Sequence, residues 1–160
     1  MAFTSRAFFL LCGIIGLTGV LSLSFQDDTD ECCPKGWTQL NKRCFIYQEE
    51  QRSFLDAESI CNLLGGNLAS ILSALENAVV LEVIKLTDDP IADTWIGLHQ
   101  ALETENFLWT DGSDFKFDAF NATVNVGDCA EIESSEELWN LDSCTDLHPY
   151  VCARDTKCKH

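Results

Sequence analysis

The sequence predicts an α+β domain closed by disulfides. Two consecutive segments have helical periodicity and each is opened by a serine cap. After Pro90 the pattern changes to short strand-like runs, so helices and strands are segregated along the chain and do not alternate as in a parallel βαβ array. Eight cysteines follow an uncharged apolar leader. The 160 residues suffice for one domain with a sizeable core and fall short of two.

The leader comes first. Arg6 ends a short basic start, and Ala7 to Leu23 carries no charge. Ser22 and Ser24 stand at the −3 and −1 positions of a cleavage before Phe25, which gives a secretory signal peptide over residues 1–24. The rival reading, an uncleaved anchor, lacks a basic stop-transfer flank. Cleavage removes Arg6 and Cys12, leaving eight cysteines and a formal charge of −17, nine basic against 26 acidic residues. An even cysteine count in a secreted chain reads as a disulfide framework, with every pairing open at this point. The acidic balance argues against nucleic-acid or anionic-membrane partners, which it would repel. The expected location is extracellular.

Residues 25–32 form an acidic lead with Asp27, Asp28, Asp30 and Glu31. Gly36 to Tyr47 holds two short aromatic and β-branched runs around Asn41-Lys42, a hairpin pattern. Ser53 with Asp56 opens the first helix, whose apolar stripe is Phe54, Ala57, Ile60, Cys61 and Leu64, and Gly65-Gly66 ends it. Ser73 with Glu76 as reciprocal cap opens the second, with Leu75, Val79, Val80, Val83 and Ile84 as its stripe and Asp89-Pro90 as its close. Five strands follow at Thr94–Leu98, Asn106–Thr110, Cys129–Glu133, Leu138–Leu141 and Tyr150–Arg154.

Other residues read plainly. Trp95, Trp109 and Trp139 belong in the core. Glu131, Glu133, Glu136 and Glu137 read as a solvated hairpin, with a cation site there as the lesser alternative. His99, His148 and His160 show no zinc spacing with each other or with a carboxylate. Gly65-Gly66 follows a helix, so it caps rather than cradles phosphate. With no nucleophile motif, the chain is expected not to be an enzyme. Asn121-Ala122-Thr123 is the single sequon, which makes Asn121 the expected glycosylation site.

Ten pieces of this sequence, in order, resemble the C-type lectin-like domain. They are Cys33-Pro34-Lys35-Gly36-Trp37, Cys44-Phe45, Ala57-Glu58 with Cys61, Gly66-Asn67-Leu68-Ala69-Ser70, and Trp95-Ile96-Gly97-Leu98. Trp109-Thr110-Asp111-Gly112-Ser113, Cys129, Trp139-Asn140, Cys144 and Val151-Cys152 complete the series. The resemblance covers residues 33–154, leaving 155–160 as a C-terminal tail, and looks most like small secreted lectins and type II antifreeze proteins. It implies bridges Cys33–Cys44, Cys61–Cys152 and Cys129–Cys144. Cys32 and Cys158 are left over; a bridge within the chain and a disulfide-linked dimer both remain open.

The resemblance implies a function centred on calcium, held by a glutamate, a proline tripeptide and a Trp-Asn-Asp strand, with sugar hydroxyls completing the ion's shell. This sequence departs from that pattern. The only prolines are Pro34, Pro90 and Pro149, so neither Glu-Pro-Asn nor Gln-Pro-Asp occurs. Gly127 stands where an acid is expected, Leu141 replaces the Trp-Asn-Asp aspartate, and the loop from Ser113 to Cys129 is short. At the auxiliary calcium site, Gln100 and Thr104 replace acids. Only Asn140 and Asp128 survive as ligands, with Asp142 nearby, too few for a coordination number of six to eight. The expected function is therefore secreted recognition of a glycan or glycoprotein without calcium or other cofactor. Ice binding and association with cations or mineral are the alternatives.

Overall fold

A computed structural model describes residues 32–87, 92–101, 106–122 and 126–158. The signal peptide, most of the acidic lead, Asp89-Pro90, Thr104, Thr123 and His160 lie outside these residues. The elements run β1 (Thr38–Leu40), β2 (Arg43–Arg52), α1 (Phe54–Leu63), β3 (Asn67–Leu68), α2 (Ala74–Lys85), β4 (Thr94–Gln100), β5 (Phe107–Trp109), β6 (Cys129–Ile132), β7 (Trp139–Asp142) and β8 (His148–Asp155). The path through the sheet is β1-β2-β8-β4-β6-β7, with β3 beside β8 and β5 beside β4. Among the described residues the named strands pair antiparallel except β4 with β8, where Trp95 meets Tyr150 in a parallel contact. Among the described residues no helix is long and apolar enough to cross a membrane.

Both helices start where serine can accept a backbone hydrogen bond. Ser53 Oγ accepts from Asp56 N and Ser73 Oγ from Glu76 N. The reciprocal half of the second cap differs from expectation: Glu76 Oε2 accepts from Leu72 N at 2.7 Å rather than from the cap residue, and also takes Arg43 Nη1 at 2.8 Å. Helix α1 ends at Gly65, whose φ of 84° is the left-handed conformation glycine adopts without strain. The stripes are narrower than the periodicity suggests. Leu64 and Leu75 are exposed, because each sits at a helix end beyond reach of the sheet. Strand β3 was not legible, since two residues have no period; it forms because Asn67 and Leu68 pair with Ala153 and Cys152.

Strand alternation divides the interior in two. On one face Phe45, Tyr47, Ile96, Leu98, Ala130, Ile132, Trp139, Leu141, Val151 and Ala153 pack with Val80, Val83 and Ile84 of α2. On the other, Trp95, Cys129, Tyr150 and Cys152 pack with Phe54, Ala57 and Cys61 of α1. Trp95, Trp109 and Trp139 are all buried. Four disulfides close the chain: Cys32–Cys158, Cys33–Cys44, Cys61–Cys152 and Cys129–Cys144. Cys32 and Cys158, with Cα atoms 4.4 Å apart, pair within the chain, so neither thiol is left to link a second copy.

Candidate functional site

The face that holds calcium in the resembling family is built here from β6, β7 and the loop before β6. Asn140 and Leu141 alternate on β7. Asn140 is 3 % exposed and its Oδ1 accepts from the amide of Leu141 at 3.0 Å, while Leu141 points into the α2-side core. Gly127 packs against the turn of the backbone at Asp142. A Cβ there would lie 2.3 Å from the Asp142 carbonyl oxygen, so no carboxylate side chain fits at this position without moving β7. Asp128 is exposed, and its amide donates to Asp142 O at 3.2 Å. Asp142 turns to His148, whose Nε2 lies 3.0 Å from Asp142 Oδ2. The three candidate ligands thus diverge: one buried, one in solvent, one in a different cluster. This donor set does not fit a calcium ion, which needs six to eight oxygens around one point.

Aromatic rings, which sequence reasoning missed, anchor the shortened loop instead. Phe117 and Phe120 meet the Trp139 ring edge-on at 5.6 and 5.7 Å, and Phe115 lies 5.5 Å from Phe107. Phe120 and Trp139 also form a bridge that carries the loop alongside β7. The signal was present as Phe115, Phe117 and Phe120 in an otherwise polar stretch. Asn121 follows directly, half-buried, with Nδ2 donating to Glu136 Oε2 at 2.6 Å.

A polar cleft of about 470 Å³ opens between the ends of β2 and β8, the α1–β3 turn and the turn after β5. Arg43, Asn67, Asp111, Ser113, Arg154 and Lys157 contribute to its lining. Arg43 is fixed there by Ser70 O at 3.0 Å, Ser70 Oγ at 2.8 Å and Glu76. Arg154 Nη1 donates to Leu64 O at 3.0 Å. Arg43 and Asp111 are thus spent on internal partners, and Arg154 and Lys157 bring the lining's further cationic donors, groups able to hydrogen-bond hydroxyls.

One acidic reading is overturned. Glu131 is not part of a solvated hairpin but 5 % exposed, because alternation along β6 turns it to the α1-side face beside Trp95. Burial, and after it the carboxylates of Asp93, Asp142, Glu133 and Asp146, push its pKa up to about 8. Glu136 stays exposed, while Glu133 and Glu137 are half-buried in the turn. The absence of zinc spacing around His148 is likewise a property of the linear sequence alone. Asp93, Glu131 and His148 are the one group of three or more His, Cys, Asp or Glu ligands that converges among the described residues.

The family model for the lectin C-type domain matches residues 50–154. The chain is 31% identical over 128 residues to the galactose-specific lectin nattectin of Thalassophryne nattereri, covering 77% of this chain and 80% of that protein. Among solved structures, human lithostathine superposes with a TM-score of 0.73 at 28% identity, over 78% of this chain and 100% of that one. Herring type II antifreeze protein does so with a TM-score of 0.71 at 29% identity, over 78% of this chain and 100% of its own.

Proposed function

Because the chain belongs to the C-type lectin domain family, we propose that it is a secreted recognition protein that binds glycans or glycoproteins without calcium. On this reading residues 1–24 are removed on secretion and Asn121 carries a glycan. On the same reading the protein is a binding module, and its eight described cysteines serve as four disulfides. The observation that carries the calcium-independent mode is Gly127, whose Cα is packed so closely against Asp142 that the acid expected there has no room. Buried Leu141 supports the same reading, since it contributes hydrocarbon where a ligand would be needed. The polar cleft, through Arg154 and Lys157, supplies hydrogen-bonding groups that require no metal.

A glycan array probed with and without a calcium chelator tests this. Equal binding to the same glycans in both conditions is the expected result. Failure to bind any glycan, or binding abolished by the chelator, would overturn it. The likeness to herring type II antifreeze protein favours ice binding as the second reading. A formal charge of −16 sits poorly with the flat, weakly charged face which that activity needs. Thermal hysteresis in the absence of glycan binding would select it.

A further inference from the structure

Asp93, Glu131, Asp142 and His148 are far apart in sequence and share one face of the sheet. The register explains why. Trp95 pairs with both Glu131 and Tyr150, and Glu131 pairs with Asn140. Side chains alternate with period two. Asp93 therefore lies on the face of Trp95, Asp142 on that of Asn140 and His148 on that of Tyr150, all flanking Glu131. The Cys129–Cys144 bridge holds the turn between β7 and β8 in place beside them.

The donor groups already face one another. One donor atom each from Asp93, Glu131 and His148 lies within 4.8 Å of the others. His148 Nε2 faces Glu131 Oε2 at 3.4 Å and Asp142 Oδ2 at 3.0 Å. The fully buried Trp95 ring meets the imidazole edge-on, with centroids 4.5 Å apart, and is itself held by Nε1 donating to Arg52 O at 3.0 Å. Asp93 Oδ1 accepts from Ser134 N at 2.7 Å. The independent sign of a missing ligand is Glu131: it is 5 % exposed, and its Oε2 is buried with no hydrogen-bond donor. A buried carboxylate oxygen without a donor is destabilising unless a proton or a cation meets it.

We propose that Asp93, Glu131 and His148 bind a divalent transition cation of the zinc class, with Asp142 Oδ2 or water as the fourth ligand. Imidazole nitrogen with two carboxylates suits zinc, whereas calcium takes oxygen alone. A tetrahedral shell with bonds near 2.0 Å places donors about 3.3 Å apart. Ligation therefore requires the half-buried Asp93 and His148 side chains to rotate, bringing donor atoms that lie within 4.8 Å of one another to that spacing. The site uses neither Asp128 nor Asn140 and does not depend on the glycan reading. Thiolates do not compete, since the described cysteines are all oxidised.

The test is calorimetric titration of the chelator-stripped, disulfide-intact protein with zinc chloride, paired with visible absorption of its cobalt(II) form. One zinc per chain and the d–d bands of a four-coordinate cobalt ion are expected. Glu131→Gln and His148→Gln should each weaken zinc by about 100-fold or more, and Asp142→Asn by about tenfold. His99→Gln and His160→Gln should leave it unchanged, and calcium at equal concentration should not displace it. Near-ultraviolet circular dichroism establishes that the variants keep their fold; if His148→Gln does not, Glu131→Gln, which preserves shape, decides the outcome. Absence of stoichiometric zinc binding, binding that survives Glu131→Gln, or displacement by equimolar calcium would overturn the proposal.

Discussion

Glu131→Gln is expected to stabilise the metal-free protein, increasingly so as pH rises. The ordinary pKa of 4.5 is raised to about 8 by burial and by the surrounding carboxylates. An acid raised in this way keeps a proton in the folded chain that the unfolded chain has already released. Between pH 4.5 and about 8 the folded state therefore binds more protons, and stability falls as pH rises through that window. Below it both states are protonated and the group contributes nothing; above it both are ionised and the full penalty stands. At about 1.36 kcal/mol per pH unit, the window corresponds to an upper bound of about 5 kcal/mol. Glutamine keeps the shape and removes the ionisation. The variant should thus differ from wild type by about 1 kcal/mol or less at pH 5 and be more stable by about 2–4 kcal/mol at pH 8. Urea unfolding with disulfides intact and a chelator present, followed by tryptophan fluorescence, measures the difference, in which all other titrations cancel. A difference that stays flat from pH 5 to pH 8, or a less stable glutamine variant at pH 8, would refute the reasoning.

Two further outcomes follow from the packing. Leu141→Asp, which restores the family's aspartate, should lower stability by about 3–5 kcal/mol, because a carboxylate would replace a side chain only 7 % exposed in the α2-side core. It should add no calcium affinity while Gly127 stays, so a micromolar site by calorimetry would contradict the geometry. Replacing both Cys32 and Cys158 by serine should cost about 3–4 kcal/mol in chemical unfolding. Cys61–Cys152 and Cys33–Cys44 already close most of the chain, so the outer bridge constrains only the remaining 24 residues (126 − 91 − 11). The unsubstituted protein should run as a monomer without reductant; a disulfide-linked dimer would contradict the intramolecular pairing.

Local chemistry made much of the architecture legible. Ser53 and Ser73 cap their helices through contacts three residues away, and Gly65 ends α1 through its own φ, so short segments sufficed to place them. The strands holding Trp95, Trp109 and Trp139 declared themselves by aromatic and β-branched runs. The eroded calcium motif was also readable, since Gly127 and Leu141 lack carboxylates whatever surrounds them. Tertiary structure decided what spacing along the chain cannot express. Leu64 and Leu75 satisfy helical periodicity, yet lie where no sheet covers them. Cys32 and Cys158 had two partners open to them until the chain ends were brought to 4.4 Å. Glu131 looked like one more surface acid because charge patterning counts neighbours in sequence. Its burial, its raised pKa and its meeting with Asp93 and His148 come from strand register across β4, β6 and β8, and register is set by pairing between segments that have no fixed separation in the chain.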